Sequence, residues 1–308
     1  MLVLATVLAA GLLEAAGRVL YARAVAAPLA AQKNSPEHYY TATADRALAY
    51  VLKPGCRIEK DGRFVRINAF GIRDDRDDLP AGRTVALLGD SVLFGIGLSQ
   101  EQTPAAALQR RTGGDWQVLN FGVPGYGLEE IQRFLEIQLP VFRPARVCYV
   151  LNLNDFSRRN TRTEGSDNGL YRMYAPPAFK VPFFLRKAVY RLMKGGRMSS
   201  VRWYRWLYRT SRAELLPLVR QMAAAVRRQG GEFSVVLFPP AVAYENGDFA
   251  LQAEFDEIAR ELQAQGIAVR APVREFGAAP RALQDDTDHL TPAGAEILAE
   301  VIWQDLKK

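Results

Sequence analysis

The chain contains, at positions 85–92, the stretch Val85-Ala86-Leu87-Leu88-Gly89-Asp90-Ser91-Val92. An apolar run that ends in a Gly-Asp-Ser turn predicts a buried strand followed directly by a helix. A serine at such a strand end lies at the rim of the sheet, beside backbone N–H groups that can bind an anion. Gly-Asp-Ser is also a common sequence in ordinary turns, so it does not by itself indicate a reactive serine. The case for Ser91 depends on the segments that follow.

The strand-to-helix pattern repeats along the rest of the chain. Strands are expected near 84–88, 116–121, 146–152, 232–238 and, more weakly, 267–270; helices fit 103–111, 128–138, 213–228, 250–265 and 292–306. Nearly continuous apolar strands followed by helices are typical of a parallel sheet covered on both faces. We predict an α/β fold, a three-layer α/β/α sandwich around a central, mostly parallel five-stranded sheet, as one domain over 84–308.

Three downstream segments contain the other groups that serine chemistry needs. In Asn120-Phe121-Gly122-Val123-Pro124-Gly125-Tyr126-Gly127, the Gly122 N–H can approach a reacting oxygen without a side chain in the way. Asn154, at the end of a predicted strand, can donate its amide N–H to an oxyanion. Asp286 and His289, three residues apart, can lie on one side of a turn, so that the carboxylate sets the imidazole tautomer.

Alternatives remain at several of these positions. Asp285 and Asp288 compete with Asp286 on spacing alone, and Asn154 also suits a plain turn. Asp90 and Asp155 are interpreted as structural, holding their turns through backbone hydrogen bonds. The chain has only two histidines, so the choice of base is nearly forced: His38 lies in a polar stretch with no strand end or paired acid, and we expect it to be solvated.

These four segments, from Gly89 to His289, resemble the four blocks of the SGNH (GDSL-type) hydrolase superfamily, and they occur in the family's order. The resemblance implies a flavodoxin-like sheet, with Ser91 as nucleophile, His289 as base and Asp286 as its orienting acid. It also implies an oxyanion hole formed by the Ser91 N–H, the Gly122 N–H and the Asn154 side chain. Two departures are Val92 in place of leucine and Asn152 where glycine is frequent.

The N-terminal segment predicts a membrane anchor or signal segment over 1–23. Residues 1–13 are uncharged, and Glu14 can pair with Arg18 at the i,i+4 spacing. A cleaved signal, an amphipathic surface helix and an uncleaved anchor all fit, and we favour the anchor. Arg18 and Arg23 follow the apolar run, which favours a cytoplasmic domain by the positive-inside rule. The chain also resembles membrane-tethered bacterial members of the superfamily, which implies the periplasmic side of the inner membrane, and we adopt that side.

Two further segments are distinctive. Residues 24–83 are interpreted as a linker and accessory segment with a hairpin around Asp61-Gly62. Residues 157–212, an insertion between the third and fourth strands, hold fourteen Lys or Arg and two acids, a net +12 against +7 for the whole chain. Ten aromatic residues are interleaved with these cations. This composition suits a membrane surface with anionic headgroups, an anionic polymer, or a packed cap with solvated arginines. No nucleic-acid motif accompanies it.

Composition and motifs together predict an enzyme. With 49% hydrophobic and 24% charged residues, the 308-residue chain can bury one large core. No metal-ligand cluster or phosphate-binding glycine loop is recognised, so we expect no metal and no cofactor. The predicted function is a serine esterase that hydrolyses O-acyl, chiefly O-acetyl, esters of a carbohydrate or cell-envelope substrate. The alternatives are an O-acyltransferase that uses the same site in exopolysaccharide modification, and a non-catalytic scaffold in polysaccharide assembly.

Overall fold

Strands and helices alternate along the chain in the computed structural model, which describes residues 1–158, 169–194, 200–285 and 289–307. The strands are β1 (Tyr40–Thr41), β2 (Val51–Leu52), β3 (Arg57–Lys60), β4 (Arg63–Arg66), β5 (Thr84–Gly89), β6 (Gln117–Gly122), β7 (Arg146–Leu151), β8 (Glu232–Leu237), β9 (Tyr244–Glu245), β10 (Asp248–Phe249) and β11 (Ala268–Arg270). The α-helices are α1 (Leu2–Tyr21), α2 (Ala27–Lys33), α3 (Ser91–Phe94), α4 (Pro104–Arg111), α5 (Leu128–Phe142), α6 (Leu170–Tyr174), α7 (Lys180–Lys194), α8 (Ser200–Arg228), α9 (Gln252–Gln263), α10 (Val273–Gly277), α11 (Pro280–Leu283) and α12 (Pro292–Leu306).

The central sheet has five strands in the order β11-β8-β7-β5-β6, and every neighbouring pair is parallel. Read from β6 to β11, the strands are the second, first, third, fourth and fifth of this sheet in chain order. This is the doubly wound, flavodoxin-like order, and sheets of this kind bind ligands at the carboxyl ends of their strands. The prediction of a three-layer α/β/α sandwich is confirmed. β5 lies between β7 and the outermost strand β6, so the residue that follows it emerges at the carboxyl edge, one strand in from the side of the sheet.

The two faces of β5 serve two separate packed layers. All six of its residues are buried. Val85 and Leu87 face the layer that contains Leu108 of α4 and Leu298 of α12. The alternate residues of β5 belong to a larger cluster with α5, α8 and α9. Successive strand residues point to opposite faces, so an uninterrupted apolar run is what a sheet covered on both sides requires.

α8 begins earlier than its predicted start near residue 213. The helix runs from Ser200 to Arg228, and its buried side chains include Tyr204, Leu207 and Tyr208. The first half of the helix therefore packs on the domain, although its sequence belongs to the basic aromatic insertion. The Glu254 carboxylate of α9 is 3% exposed and lies 2.7 Å from Arg205 Nε and 3.5 Å from Arg209 Nη2. Arg205 is therefore part of the packed structure, whereas Arg209 is largely exposed.

The N-terminal helix is the one long apolar helix in the described part of the chain. α1 continues through a π-helical turn (Ala22–Ala26) into α2. The segment Val3–Lys33 is long and apolar enough to cross a membrane, and a signal sequence would pass the same test. The predicted pairing of Glu14 with Arg18 is confirmed at 3.3 Å.

The accessory segment packs against the loop that follows Ser91. β3 and β4 form the predicted hairpin, and Asp61 and Gly62 at its turn have φ values of 52° and 71°, as a tight hairpin turn requires. The Phe64 N–H donates to Ser99 Oγ at 3.0 Å. The Arg66 N–H donates to Gln100 Oε1 at 3.1 Å. These contacts place the hairpin beside the carboxyl edge of the sheet.

The prediction that His38 is solvated is wrong. Its ring is half-buried, stacks on Tyr174 with centroids 5.9 Å apart, and contacts the Tyr174 hydroxyl through Nε2 at 2.5 Å. Burial lowers its pKa, and Lys33 and Lys53 lower it further. The polar sequence around His38 gave no sign of this, because its partner Tyr174 lies far along the chain.

Candidate active site

Ser91 lies at the first turn of α3, immediately after β5 ends. Asp90 is the N-cap of α3, and its Oδ1 accepts the Val92 N–H at 2.9 Å. A carboxylate that bonds a free helix-terminal N–H stabilises the sharp strand-to-helix turn. The turn is also crowded, since a Cβ on Gly89 would lie 3.1 Å from Val150 O of the neighbouring strand. Glycine at position 89 therefore lets the chain turn against the sheet and present Ser91 at its edge.

His289 lies within hydrogen-bonding distance of Ser91. The His289 Nε2 to Ser91 Oγ distance is 3.1 Å, although the two residues are 198 positions apart. This is the spacing expected for a general base that removes the hydroxyl proton. The structure thus brings together the predicted nucleophile and the predicted base.

The loop that holds His289 is closed by several hydrogen bonds. The Asp285 N–H donates to His289 O, and the Thr291 N–H donates to Leu283 O, both at 3.0 Å. The Gln284 side chain is 1% exposed; its Oε1 accepts the Ala241 N–H and its Nε2 donates to Pro239 O. A buried amide with both ends satisfied fixes this loop relative to the segment after β8.

The predicted orienting acid, Asp286, lies outside the described residues, as does its competitor Asp288. Asp285 is described. Its side chain is exposed, and its Oδ2 lies 3.3 Å from the position that a Cβ on Gly97 would occupy. Asp285 therefore lies beside the loop that follows Ser91, and the assignment of Asp286 remains a prediction.

Asn154 and Asp90 meet at the carboxyl edge. Asn154 Nδ2 donates to Asp90 Oδ2 at 3.0 Å across 64 positions of sequence. The amide nitrogen has two hydrogens, so one stays available for a developing oxyanion while the other orients the group. Burial raises the pKa of Asp90, and the Val92 N–H, the Asn154 amide and nearby His289 oppose that shift. The structural interpretation of Asp90 is thereby confirmed, and Asp90 also positions Asn154.

Asp155 braces its own loop, as predicted. Its Oδ2 accepts the Asn152 N–H at 3.0 Å and the Tyr149 hydroxyl at 2.7 Å, and the residue is fully buried. These bonds fix the turn that follows β7 and carries Asn154. Asp155 thus supports the candidate oxyanion donor without reaching the reaction centre.

Gly122 does not present a free N–H. This N–H donates to Asn120 Oδ1 at 2.9 Å. A Cβ at Gly122 would lie 2.3 Å from the Phe94 backbone nitrogen. The position therefore requires glycine for the close packing of β6 against α3, which is a different reason from the predicted one.

Gly125 presents a backbone N–H that the sequence interpretation did not consider as a donor. It has φ 82°, and the Tyr126 N–H donates to Val123 O at 3.3 Å, which together with Pro124 defines a type II turn. The residue is partly exposed, and its N–H has no acceptor among the described residues. The Tyr50 hydroxyl donates to Pro124 O at 2.8 Å and holds this turn. The Pro-Gly pair is the sequence signal that could have identified it.

Arg73 supports the loop that follows the nucleophile. Its guanidinium, on a side chain 3% exposed, donates to the carbonyls of Phe94, Gly95 and Leu98 at 2.8–2.9 Å. Its Nε also donates to Gln100 Oε1 at 3.1 Å. Burial lowers the pKa of Arg73 to about 10, so the group stays protonated at neutral pH. One cation thus satisfies the carbonyls at the end of the helix that begins with Ser91.

Other reactive groups in the described parts of the chain are poorly placed for catalysis. Cys148 is a buried thiol in β7, and burial raises its pKa to about 12. A thiol with so high a pKa is a poor nucleophile near neutrality. In the same described ranges, no group of three or more His, Cys, Asp or Glu side chains is placed to hold a metal ion.

The comparisons with known proteins identify a family for this chain. Residues 87–297 of the 308-residue chain match the model of the GDSL-like lipase/acylhydrolase family. No curated protein matches the chain.

Several solved structures are similar to the chain at low sequence identity. A lipolytic G-D-S-L protein from Veillonella parvula DSM 2008 is 10% identical, with TM-score 0.45 and coverage of 74% of this chain and 100% of its own. A carbohydrate acetylesterase family member from Sinorhizobium meliloti is 15% identical, with TM-score 0.44 and coverage of 73% and 97%. The psychrotrophic esterase EstA from Pseudoalteromonas sp. is 14% identical, with TM-score 0.42 and coverage of 73% and 97%. With the family model matching more than half of its length, this chain belongs to the GDSL-like lipase/acylhydrolase family.

Proposed function

We propose that the protein is a serine esterase that removes small O-acyl groups, chiefly acetyl, from a carbohydrate or cell-envelope substrate through an acyl-serine intermediate. The observation that carries the proposal is the 3.1 Å contact between Ser91 Oγ and His289 Nε2 at the carboxyl edge of a parallel sheet. Family membership supports ester hydrolysis as the reaction class.

The proposed reaction has two halves. His289 Nε2 takes the Ser91 hydroxyl proton as Oγ attacks the ester carbonyl, and the same proton passes to the departing alcohol. Water, deprotonated by His289, then attacks the acyl-serine, and the proton returns to Ser91 as the acid leaves. We assign Asp286 the role of orienting the imidazole.

The oxyanion of each half-reaction needs nearby N–H donors. We assign this role to the Ser91 N–H, the second hydrogen of Asn154 Nδ2 and the Gly125 N–H. Gly125 takes the place first predicted for Gly122, whose N–H is already bonded to Asn120. All three assigned donors lie on segments that follow β5, β6 or β7, the three adjacent strands at this part of the sheet.

A polar substrate is supported by the residues around Gly97, in the loop after Ser91. The Ile96 N–H donates to Ser91 O at 3.2 Å, so this loop closes directly on the nucleophile. Arg63 Nη1 donates to Gly97 O at 3.2 Å, and the Asp285 carboxylate approaches from the other loop. Exposed charged side chains of both signs suit a hydroxyl-rich substrate better than a long acyl chain.

The test is hydrolysis of p-nitrophenyl acetate by the full chain. We expect Ser91→Ala and His289→Ala each to lower kcat by at least about 10³-fold, because each removes a covalent or proton-transfer step. Matched controls are Ser35→Ala and His38→Gln, which we expect to keep wild-type kcat. Mass spectrometry of the acid-quenched reaction should find one acetyl group on the peptide containing Ser91. Full activity in Ser91→Ala would refute the assignment.

An acyltransferase would use the same residues, with a sugar hydroxyl in place of water. Incubation with an acetyl donor and an oligosaccharide separates the two reactions. Free acetate as the sole product supports the esterase, and acetylated sugar supports the transferase. The scaffold alternative predicts neither product.

For location, we propose that the N-terminal helix anchors the domain on the periplasmic side of the inner membrane. The length and apolar surface of α1 and α2 support an anchor, and the resemblance to membrane-tethered members of the superfamily supports the periplasm. If the C-terminus lies in the periplasm, alkaline phosphatase fused to it should be active in cells, and green fluorescent protein fused at the same position should not fluoresce. The reverse result would place the domain in the cytoplasm, as Arg18 and Arg23 favour.

A further inference from the structure

The helix α7 presents an uncovered apolar stripe. Leu185, Val189 and Leu192 are 63%, 56% and 81% exposed. Their spacing of four and three residues places them on one face of the helix. Single exposed apolar side chains are common, but an aligned stripe on one helix marks a surface that contacts another apolar phase.

The beginning of α7 is bonded to the N-terminal apolar helix. The Glu14 carboxylate of α1 accepts the Lys180 N–H at 2.9 Å and the Val181 N–H at 3.1 Å. A helix leaves its first N–H groups without partners, and a carboxylate there satisfies them and opposes the helix dipole. Glu14 interrupts an otherwise uncharged run, and this contact gives a physical reason for it.

Close packing supports the same junction. A Cβ on Gly17 would lie 3.0 Å from Val181 Cγ2, so glycine lets the two helices approach. Tyr21 and Phe183 are 5% and 0% exposed, and their rings meet edge to face at 5.3 Å. α7 is therefore docked on α1 through polar, steric and aromatic contacts.

Helix length places this junction near the edge of the bilayer if α1 is an anchor. The uncharged residues 1–13 extend about 20 Å at 1.5 Å per residue. The hydrocarbon core is about 30 Å thick. Residues 14–20, the part of α1 on which α7 docks, extend this length by about 10 Å, so residues 1–20 together match the thickness of the hydrocarbon core. Val19 and Leu20, in that part, are each 54% exposed.

The charge of α7 matches a bilayer surface with anionic headgroups. Lys180, Arg186 and Lys187 belong to the helix, and the sequence has no acidic residue from 169 to 213. In α8, Arg205 and Arg212 pair with carboxylates of α9. Cations beside an exposed apolar stripe are typical of helices that lie at the lipid interface.

From these contacts we propose that α7 is a second membrane contact, docked on α1 through Glu14, which inserts Leu185, Val189 and Leu192 among the lipids of an anionic bilayer. This inference rests on the proposed anchoring by α1. It is independent of the proposed esterase activity, because none of its residues takes part in the assigned chemistry.

The test measures the depth of single labelled positions in the full chain. The protein is reconstituted into phosphatidylcholine vesicles that contain phosphatidylglycerol, with Cys56 replaced by serine and a bimane label at one new cysteine. The positions are Leu192→Cys on α7, Leu8→Cys on α1 as the positive control, and Ala253→Cys on α9 as the matched exposed control. Lipids with a nitroxide on the acyl chain quench only labels that reach them.

We expect quenching at positions 8 and 192, and none at 253. If the label at position 8 is quenched and the labels at 192 and 253 are both not, the proposed role of α7 is wrong and the proposed anchor is still supported. Absence of quenching at position 8 would overturn the anchor and this inference together. The finding that residues 1–23 are cleaved from the protein as purified from cells would do the same. Hydrolysis of p-nitrophenyl acetate by the same samples reports separately on the esterase.

Variants of Glu14 test the junction itself. Glu14→Ala should abolish quenching at 192 and keep it at 8, because α7 loses the acceptor for its first N–H groups. Glu14→Gln keeps one carbonyl acceptor and should restore part of the quenching. Equal quenching at 192 in all three proteins would show that Glu14 does not hold α7 at the membrane.

Discussion

The carboxyl edge of the sheet and the helices of the basic insertion both collect polar and charged residues, but the protein holds them in different ways. At the edge, Asp90, Asn154 and Arg73 each have close partners supplied by the domain itself. In the insertion, α8 buries its apolar side and pairs its arginines, whereas α7 leaves an apolar stripe uncovered. Polar side chains that the domain itself holds in place are preorganised for a reaction. Apolar side chains that the domain leaves exposed indicate a partner outside the protein.

This comparison predicts that substitutions in the two regions affect different properties of the protein. Substitutions at the carboxyl edge should reduce catalysis and leave vesicle contact unchanged. Substitutions in α7 should alter vesicle contact alone, and those in α8 should alter stability alone. Beyond the replacement of Ser91, three variants test these boundaries.

The largest further effect is expected at Asn154. Asn154→Ala removes a side-chain donor to the oxyanion, and we expect kcat for p-nitrophenyl acetate to fall by about 10²–10³-fold with little change in KM. The loss should fall on kcat because the donor acts on charge that develops only in the transition state. Steady-state kinetics with equal folding, checked by circular dichroism, measures it. A kcat within about threefold of wild type would exclude Asn154 from the oxyanion hole.

A smaller effect, on stability, is expected at Arg73. Lysine cannot reach the three carbonyls and the Gln100 oxygen that the guanidinium contacts, so Arg73→Lys leaves buried acceptors unpaired. We expect the free energy of unfolding to fall by about 2 kcal/mol, measured by urea denaturation. Activity should also fall, since the loop after Ser91 loosens. Unchanged stability would show that water can bond these carbonyls in place of the guanidinium. The loop after Ser91 would then not be held in place by the protein as we propose.

The smallest effect is expected in α8. Glu254→Gln removes the charge that pairs with Arg205 and Arg209, and we expect a loss of about 1 kcal/mol in urea unfolding. The matched control is Glu257→Gln, whose pair with Arg212 is more exposed, and its effect should stay within about 0.5 kcal/mol. Neither variant should change kcat. A fall in esterase activity without loss of stability would contradict the separation between the edge and the insertion.

Much of the fold was predictable because its signals are local. The apolar run at Val85–Leu88, the turn after it and the periodic helices that follow predicted the parallel sheet and placed Ser91 at its edge. The chain has only two histidines, and His38 lies in a polar stretch with no strand end or paired acid, so His289 was the expected base. The weakest predicted strand, around Val269, is also present as β11.

The remaining features depend on contacts between distant segments, which local patterns do not encode. Composition could not distinguish α7 from α8, since both are rich in cations and aromatic residues. Nor could it reveal that His38 packs on Tyr174, or that Asn120 occupies the Gly122 N–H while Gly125 stays open.

By itself, the sequence determined the order of strands and helices and singled out Ser91 and His289 as the candidate nucleophile and base, because periodicity and turn residues act over a few neighbouring positions. Only the tertiary structure decided which donors face the site, which acid positions Asn154 and which basic helix stays uncovered. Those outcomes depend on which surfaces pack together, and packing joins residues such as Asp90 and Asn154 across 64 positions of chain.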